Sequence, residues 1–554
     1  MADARPNILL ILNDDMGFSD IGCYGGEVDT PNLNALADNG LRFTQFYNTA
    51  RCSPSRASLL TGLHPHQVGV GILTAYDGPE GYEGHLNRSG ATIAEVLKAS
   101  GYGTSMSGKW HLTRNDDLYD VDDDSHPRKR GFDHHFGTLC GAGSFFSPRT
   151  IQRDGELIEQ EVRDDPGFYY TDAISDQAVA YIEEHFEKTP DRPFFQYVAY
   201  TAPHWPLHAK PDDIAKYEGR FADGWDTLRE QRIERMVDMG LIDPSWKLTP
   251  RDPEVPAWDD AEHKAWEQRR MEVYAAQIDC MDQGIGRILD SLRRLGQLDN
   301  TLVIFLADNG GCAEELAGEW ARRLAERNRE ITSGNVTPNG QPIRYGNDPD
   351  VMPCDDSTYQ SYGVPWANLS NTPFRLYKHW THEGGIATPF IVHWPKGLAA
   401  TGELRHQPAQ LTDVMATVLE VTGAAYPETH EGHAILPLEG QSLTPLFENQ
   451  DRDVTLFFEH EGNAAVRRGR LKLVKNFSGS PTGKRSGGRP ATPSPWELYD
   501  IETDRTELND LAADHPEVVE ALATSWEDWA TRCGVIPRER ILEIQRKRRE
   551  AKGL

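Results

Sequence analysis

Three nearly continuous apolar runs, Pro6–Leu12, Pro193–Tyr200 and Thr301–Leu306, constrain this chain more than anything else in it. Each has the length of a strand and none alternates polar with apolar. Each must therefore be buried on both faces, as in a parallel sheet covered by helices. Helical patterns fall between them: Leu33, Leu36 and Ala37 after Thr30-Pro31; Ile93, Val96 and Leu97 closed by Gly101; Ile174, Ala178, Ile182 and Phe186; and Tyr274–Leu295. Weaker strands are predicted at Thr104–Ser107 and Pro389–His393, and a helix at Leu411–Val421. This alternation predicts an α/β domain over residues 1–450, with a large, mainly parallel or mixed sheet sandwiched by helices. Lys210–Glu267 is polar and dotted with Trp, and reads as helical excursions and loops. Residues 312–370, rich in Asn, Pro, Gly and charge, read as an insertion over the sheet, and Asn115–Asp124 as an acidic surface loop.

The pattern changes near residue 450. Thr455–Glu459, Ala464–Arg467, Leu471–Val474 and Glu497–Tyr499 are short strands of a small antiparallel sheet. Val518, Val519, Leu522, Trp526 and Trp529 mark one packed amphipathic helix, opened by Asp514 and Pro516. These define a smaller α+β domain, 451–554, with a mobile Gly/Ser/Pro-rich loop at Asn476–Pro495 and a basic tail from Arg538 that frays.

A net charge of −29 over 554 residues opposes nucleic acid or an anionic membrane as a partner. If the substrate is an anion, a local cluster of cations must override that field. Seven scattered cysteines form neither a disulfide framework nor a zinc pattern. The first apolar run is too short for a signal peptide, and no stretch reaches membrane-span length, so the chain reads as cytoplasmic.

The runs end in residues that carry chemistry: Asp14-Asp15, His204 and Asp308-Asn309, with Lys109-Trp110-His111 after the weaker strand. Ligands bind outside the carboxyl ends of strands in such sheets. Asp14, Asp15, Asp308 and Asn309 offer only oxygen, which suits Ca²⁺ or Mg²⁺ and not zinc. One Asp-Asp pair alone would read as a helix cap; a second acidic pair at another strand end favours a metal. Arg56, Lys109 and Lys378 can neutralise an anion, and His111 and His204 can move protons. In Arg51-Cys52-Ser53-Pro54-Ser55-Arg56, Pro54 suits a first helical turn, which places Cys52 at a helix mouth with Arg56 one turn on.

Cys52-Ser53-Pro54-Ser55-Arg56, followed by Leu60-Thr61-Gly62, resembles the modification motif of the sulfatase family. So do Asn13–Gly17, Gly108–Leu112, Ala202–Pro206, Asp308–Gly310 and Tyr377-Lys378, in family order. The likeness is strongest to bacterial cytoplasmic arylsulfatases of the Pseudomonas type, through matches such as Met271–Ala276. It implies an alkaline-phosphatase-like fold and hydrolysis of a sulfate monoester carried by a small molecule or sugar. It implies conversion of Cys52 to Cα-formylglycine by a formylglycine-generating or anaerobic sulfatase-maturing enzyme. It implies that Asp14, Asp15, Asp308 and Asn309 bind Ca²⁺ beside the modified Cys52. Arg56 would hold the formylglycine and His111 would contact one of its hydroxyls, while Lys109, His204 and Lys378 grip the sulfate. Attack by one hydroxyl of the aldehyde hydrate, with His204 protonating the alcohol, leaves a second hydroxyl to expel sulfate once His111 takes its proton.

Two departures from the family pattern, Thr113 and Ala387, hint at a locally altered site. Asn115–Asp124, the 312–370 insertion and Glu459–Asn463 are candidates to shape the pocket, with His460 and Asn463 available to bind substrate hydroxyls. A phosphonate monoester or phosphodiester hydrolase of the same superfamily, and a non-catalytic sulfated-glycan binder with Cys52 unmodified, stay open as alternatives.

Overall fold

The computed structural model describes residues 5–75, 78–331, 335–477 and 493–552. The predicted central strands are present as β1 (Asn7–Asn13), β3 (Gly103–Gly108), β7 (Phe194–Ala199) and β8 (Thr301–Ala307). They join β2 (Leu41–Tyr47), β4 (His134–Thr138), β5 (Ile151–Arg153), β6 (Glu156–Leu157), β9 (Ala387–His393), β10 (Glu403–Arg405) and β11 (Ala409–Gln410). The order is β10-β2-β9-β8-β1-β7-β3-β4-β5-β6, with β11 also on β2. From β8 through β4 the strands run parallel. The strand predicted at Pro389–His393 exists, but as β9 it runs antiparallel to both β8 and β2.

β1 explains the layering. Leu9 and Ile11 face one core and Ile8, Leu10 and Leu12 the other, all with 0% exposure. The first core takes side chains from α1 (Pro31–Asp38), from the Tyr170–Lys188 helix and from the Lys264–Arg294 helix. The second takes Ala57, Leu59 and Leu60 of α2 (Cys52–Thr61), and side chains from the Ile93–Ala99 and Thr412–Thr422 helices. The Lys264–Arg294 helix starts ten residues before the predicted Tyr274, because its first turns are too polar to show an apolar stripe.

The insertion at 312–370 is not structureless: it contains helices at Gly318–Ile331 and Gly363–Ser370. The four predicted C-terminal strands form an antiparallel meander, Thr455–His460, Asn463–Arg468, Leu471–Lys475 and Glu497–Asp500. One face packs Val466, Leu473 and Leu498 against Leu522 of the Pro516–Arg532 helix. The other contributes Leu456, Phe458 and Val474 to the main core. Between the two sheets, Lys472 Nζ lies 2.8 Å from Glu383 Oε1 and 2.8 Å from Glu507 Oε1, and Arg505 Nε is 2.7 Å from Glu383 Oε2, all fully buried. The tail is ordered as a helix, Arg538–Lys552, contrary to the expected fraying, and buries Ile541 against Ile72 and Tyr82. Residues 478–492 of the Gly/Ser/Pro-rich loop lie outside the described residues. Among the described residues no helix is long and apolar enough to cross a membrane.

Candidate active site

Four neighbouring parallel strands deliver their chemistry to one rim of the sheet. β1 and β8 pair with Asn13 opposite Ala307, so Asp14-Asp15 and Asp308-Asn309 emerge side by side. β7 pairs with β1 at Ala199 and Leu12, and its exit leads to His204. β3 pairs with β7 at Gly108 and Ala199 and runs out into Lys109 and His111. A Cβ on Gly108, whose φ is 114°, would stand 1.9 Å from the Ala199 carbonyl oxygen, so only glycine lets the chain turn there. The Lys109 N–H then donates to that carbonyl at 2.7 Å. α2 begins at Cys52 after an extended Arg51 and closes on Gly62 with φ 68°. Pro54 lies in its first turn, where a missing N–H costs nothing. Asp15, Ala50 and His111 all hold positive φ, strain that a surrounding structure must over-determine.

The charged groups are locked together and almost fully buried. Arg56 donates to Asp308 Oδ2 and to the Lys109 carbonyl, each at 2.9 Å, and its guanidinium lies 3.8 Å from Asp14. Lys109 Nζ pairs with Asp14 Oδ2. Lys378 Nζ lies 2.6 Å from Asp15 Oδ1, and His204 Nε2 lies 3.3 Å from Asp15 Oδ2. His204 Nδ1 is 2.6 Å from the Trp205 carbonyl, which can only accept, so the neutral ring carries its proton on Nδ1. His111 Nε2 meets Ser53 Oγ at 3.2 Å.

Burial disfavours charge throughout, and the neighbours decide the outcome. Burial and the facing Asp14 carboxylate push Asp308 up to about 7, against Arg56. Burial works against Asp14 too, but Lys109, His204 and Arg56 override it and hold its carboxyl well below the usual range. Burial opposes charge on Lys378, but Asp15 raises its pKa well above the ordinary lysine value. Burial lowers His204, and lowers His111 further with help from Lys109 and Arg56.

The donors fit a hard cation. Among the described residues Asp14 Oδ1 and Asn309 Oδ1 are buried with no hydrogen-bond partner, although Asn309 donates from Nδ2 to Asp15 Oδ1 at 2.7 Å. Buried acceptors left unmatched beside three carboxylates form an oxygen-only set, the kind that Ca²⁺ or Mg²⁺ takes.

A family model described as Sulfatase matches residues 6–424, and one described as N-sulphoglucosamine sulphohydrolase, C-terminal, matches residues 374–529. The chain belongs to the sulfatase family. It is 32% identical to an uncharacterized sulfatase of Schizosaccharomyces pombe, over 96% of this chain and 94% of the other. It is 33% identical to an arylsulfatase of Klebsiella aerogenes, over 80% of this chain and 92% of the other. A solved protein in complex with its substrate, D-glucosamine-2-N,6-O-disulfate, shares the fold with a TM-score of 0.62 at 21% identity, covering 97% of this chain and 99% of that one. The chain is a sulfatase enzyme, with the mixed, mostly parallel sheet of that fold.

In this sulfatase a cavity of about 160 Å³ opens above the strand ends. Cys52, His111, His204 and Lys378 line it, whereas Lys109 and Arg56 are not among its lining residues and act from beneath its floor. Asn115, Glu314, Trp320 and Leu324 line it as well, so the acidic loop and the insertion both shape the pocket. Sequence reasoning missed Arg51, Arg149 and Trp205 as lining residues. Arg51 NH1 and Trp205 Nε1 both donate to Glu314, at 2.9 and 2.8 Å, a pairing that no local pattern announces.

His460 and Asn463, expected to bind substrate, do not line the cavity. Both are buried, and the Asn463 amide donates to the His379 and His460 carbonyls at 3.2 and 3.0 Å. Thr113 and Ala387 are also buried away from the cavity: Thr113 accepts from Ser125 Oγ at 3.1 Å, and Ala387 opens β9.

Proposed function

We propose that this sulfatase hydrolyses sulfate monoesters with a Cα-formylglycine made from Cys52 and a divalent cation, Ca²⁺ for preference, held by Asp14, Asp15, Asp308 and Asn309. The observation that carries the reading is the meeting of Cys52, at the first position of a buried helix, with Lys378, His204 and His111 around one small cavity. A dication held there would supply Lewis acidity toward the sulfuryl group. The hydrate of the modified side chain supplies a nucleophilic hydroxyl and a second one for sulfate release, which the hydroxyl of a serine cannot.

The chain's own groups do the rest. Lys378 sets a fixed positive charge on the cavity wall, where charge on the sulfuryl and leaving oxygens is stabilised in a water-poor setting. Lys109 and Arg56 hold Asp14 and Asp308 in place from below. Protonated His204 keeps its Nδ1 proton on the Trp205 carbonyl and gives the Nε2 proton to the departing alcohol. His111, kept neutral by burial, is free to accept a proton beside Ser53 and Cys52.

The arylsulfatase relative and the neighbour solved with a disulfated glucosamine point to an aryl sulfate or a sulfated sugar. Trp205 and Trp320 line the cavity and offer aromatic faces on which the ring of such a substrate would rest. Mass spectrometry of the peptide spanning Cys52, from protein produced with a maturation enzyme, is expected to show the aldehyde. Cys52→Ala is expected to abolish release of sulfate from 4-nitrophenyl sulfate. Turnover retained by that variant would refute the mechanism, and a higher kcat/KM on an aryl phosphonate would move the assignment to that class.

A further inference from the structure

We propose that His379, His460 and Glu461 form a second metal site, separate from the carboxylate centre, that takes zinc or a similar first-row dication. One ligand atom from each of the three lies within 4.8 Å of the others. His379 Nδ1 and Glu461 Oε2 stand 3.3 Å apart, which is the edge of a tetrahedron built on zinc bonds of about 2.0–2.1 Å. The two imidazoles lie edge to face with centroids 5.4 Å apart. Two imidazoles and one carboxylate are a borderline-soft donor set, richer in nitrogen than the group of Asp14, Asp15 and His204 at the strand ends.

The second observation is a buried group with nothing to bind. His460 is 1% exposed, and among the described residues neither its Nδ1 nor its Nε2 has a hydrogen-bond partner. Buried polar side chains without partners are rare and call for a cause. Burial lowers His379 to about 4 and His460 well below its ordinary value, so both rings are neutral with lone pairs available at pH 7.

Two outer contacts bear on the three residues. Arg538 donates to Glu461 Oε1 at 3.0 Å, and Oε2 is the oxygen that faces His379 Nδ1. Asn463 fixes the carbonyls of both histidines through a single amide group. The Glu461 side chain is 15% exposed, which gives the ion a way in and a water the fourth position. Arg51, the nearest cation on the cavity side, is already matched by Glu314. The site would staple the segment that follows Lys378 to the hairpin turn between the first two strands of the C-terminal sheet.

The full-length chain, incubated with zinc and desalted, is expected to hold one zinc in addition to its calcium, both measured by inductively coupled plasma mass spectrometry. His460→Gln is expected to lose the zinc and keep the calcium. Cobalt substitution of the unmodified sequence is expected to give the visible bands of a tetrahedral or five-coordinate nitrogen–oxygen site. Zinc no higher than in the His460→Gln chain would overturn the proposal. So would zinc that calcium displaces, since it would then occupy the carboxylate centre. Should His460→Gln fail to fold, the cobalt spectrum decides, and absence of the bands would overturn the assignment.

Discussion

Lys378→Met separates the two roles that one ammonium group holds in this site. Lys378 Nζ lies 2.6 and 2.8 Å from the two Asp15 oxygens, with its side chain 2% exposed. Apart from Lys378, Asp15 Oδ1 accepts from the Asn309 amide at 2.7 Å, while Oδ2 faces His204 Nε2 at 3.3 Å, which has no proton to donate in the neutral ring. Both are neutral at pH 7, given the lowered His204. Methionine fills much of the volume and strands a buried carboxylate, which costs about 3–5 kcal/mol when nothing replaces the partner. On the proposed function a dication on Asp15 would replace it. Urea titrations followed by Trp fluorescence should therefore show a loss of that order in EDTA and a much smaller loss in calcium.

Turnover should not recover in the same way. The same ammonium lines the cavity beside Cys52 and His204, and removing one preorganised group aimed at a developing oxyanion costs about 10²–10³ in kcat, or about 2.7–4 kcal/mol. Calcium cannot restore charge on that wall. The expected signature is stability rescued and kcat on 4-nitrophenyl sulfate still down by at least about a hundredfold. If calcium restores both, Lys378 is only a counterion to Asp15 and its proposed catalytic role fails. If the stability loss is equal in EDTA and calcium, Asp15 is not at the cation site.

Three further outcomes follow from particular contacts. Because burial lowers His204 below its ordinary 6.5, kcat/KM on an alkyl sulfate should fall as pH rises through a value below 6.5. His204→Gln should remove that limb; a limb that persists assigns the proton to another group. A Cβ on Gly141 would meet the His111 ring at 2.3 Å, so Gly141→Ala should cut kcat about tenfold or more through a displaced proton acceptor, with an unchanged far-ultraviolet spectrum; full activity would remove His111 from the mechanism. Lys472→Met leaves Glu383 and Glu507 buried without their shared cation and should cost about 3–5 kcal/mol in urea unfolding. A change under about 1 kcal/mol would mean that Arg505 alone suffices.

What the sequence disclosed follows from where the information lies. The central strands were legible because both faces are buried, so each reads as an unbroken apolar run. β2 was not, since Arg42 and Gln45 interrupt it near a sheet edge, and β4 opens on two histidines. The direction of β9 depends on its crossover, which no residue within the strand encodes. The acidic and basic groups at the strand ends were legible because the chain-end geometry of a parallel sheet gathers them whatever lies between. Arg51, Arg149 and Glu314 meet only in the folded chain. His460 and Asn463 misled for a related reason: polar residues at a hairpin read as solvent-facing, yet this turn is pressed into the loop after Lys378.

The overall charge of −29 set a problem for an enzyme whose substrate is an anion, and the site resolves it through distance and pairing. Exposed charges farther away than about 8–10 Å are largely screened at physiological ionic strength, so the field felt at the cavity is set by its own walls. There, three carboxylates (Asp14, Asp15, Asp308) face three cations (Arg56, Lys109, Lys378), and Arg51 is balanced by Glu314. Protein alone thus brings the inner shell near neutrality, and Arg149 also lines the wall. A dication on the carboxylates makes the cavity strongly positive without adding one basic side chain. On the proposed function the cation would therefore serve the binding of the anion as much as its chemistry. Chelation should raise KM for a sulfate ester as well as lower kcat, and a change confined to kcat would refute this account.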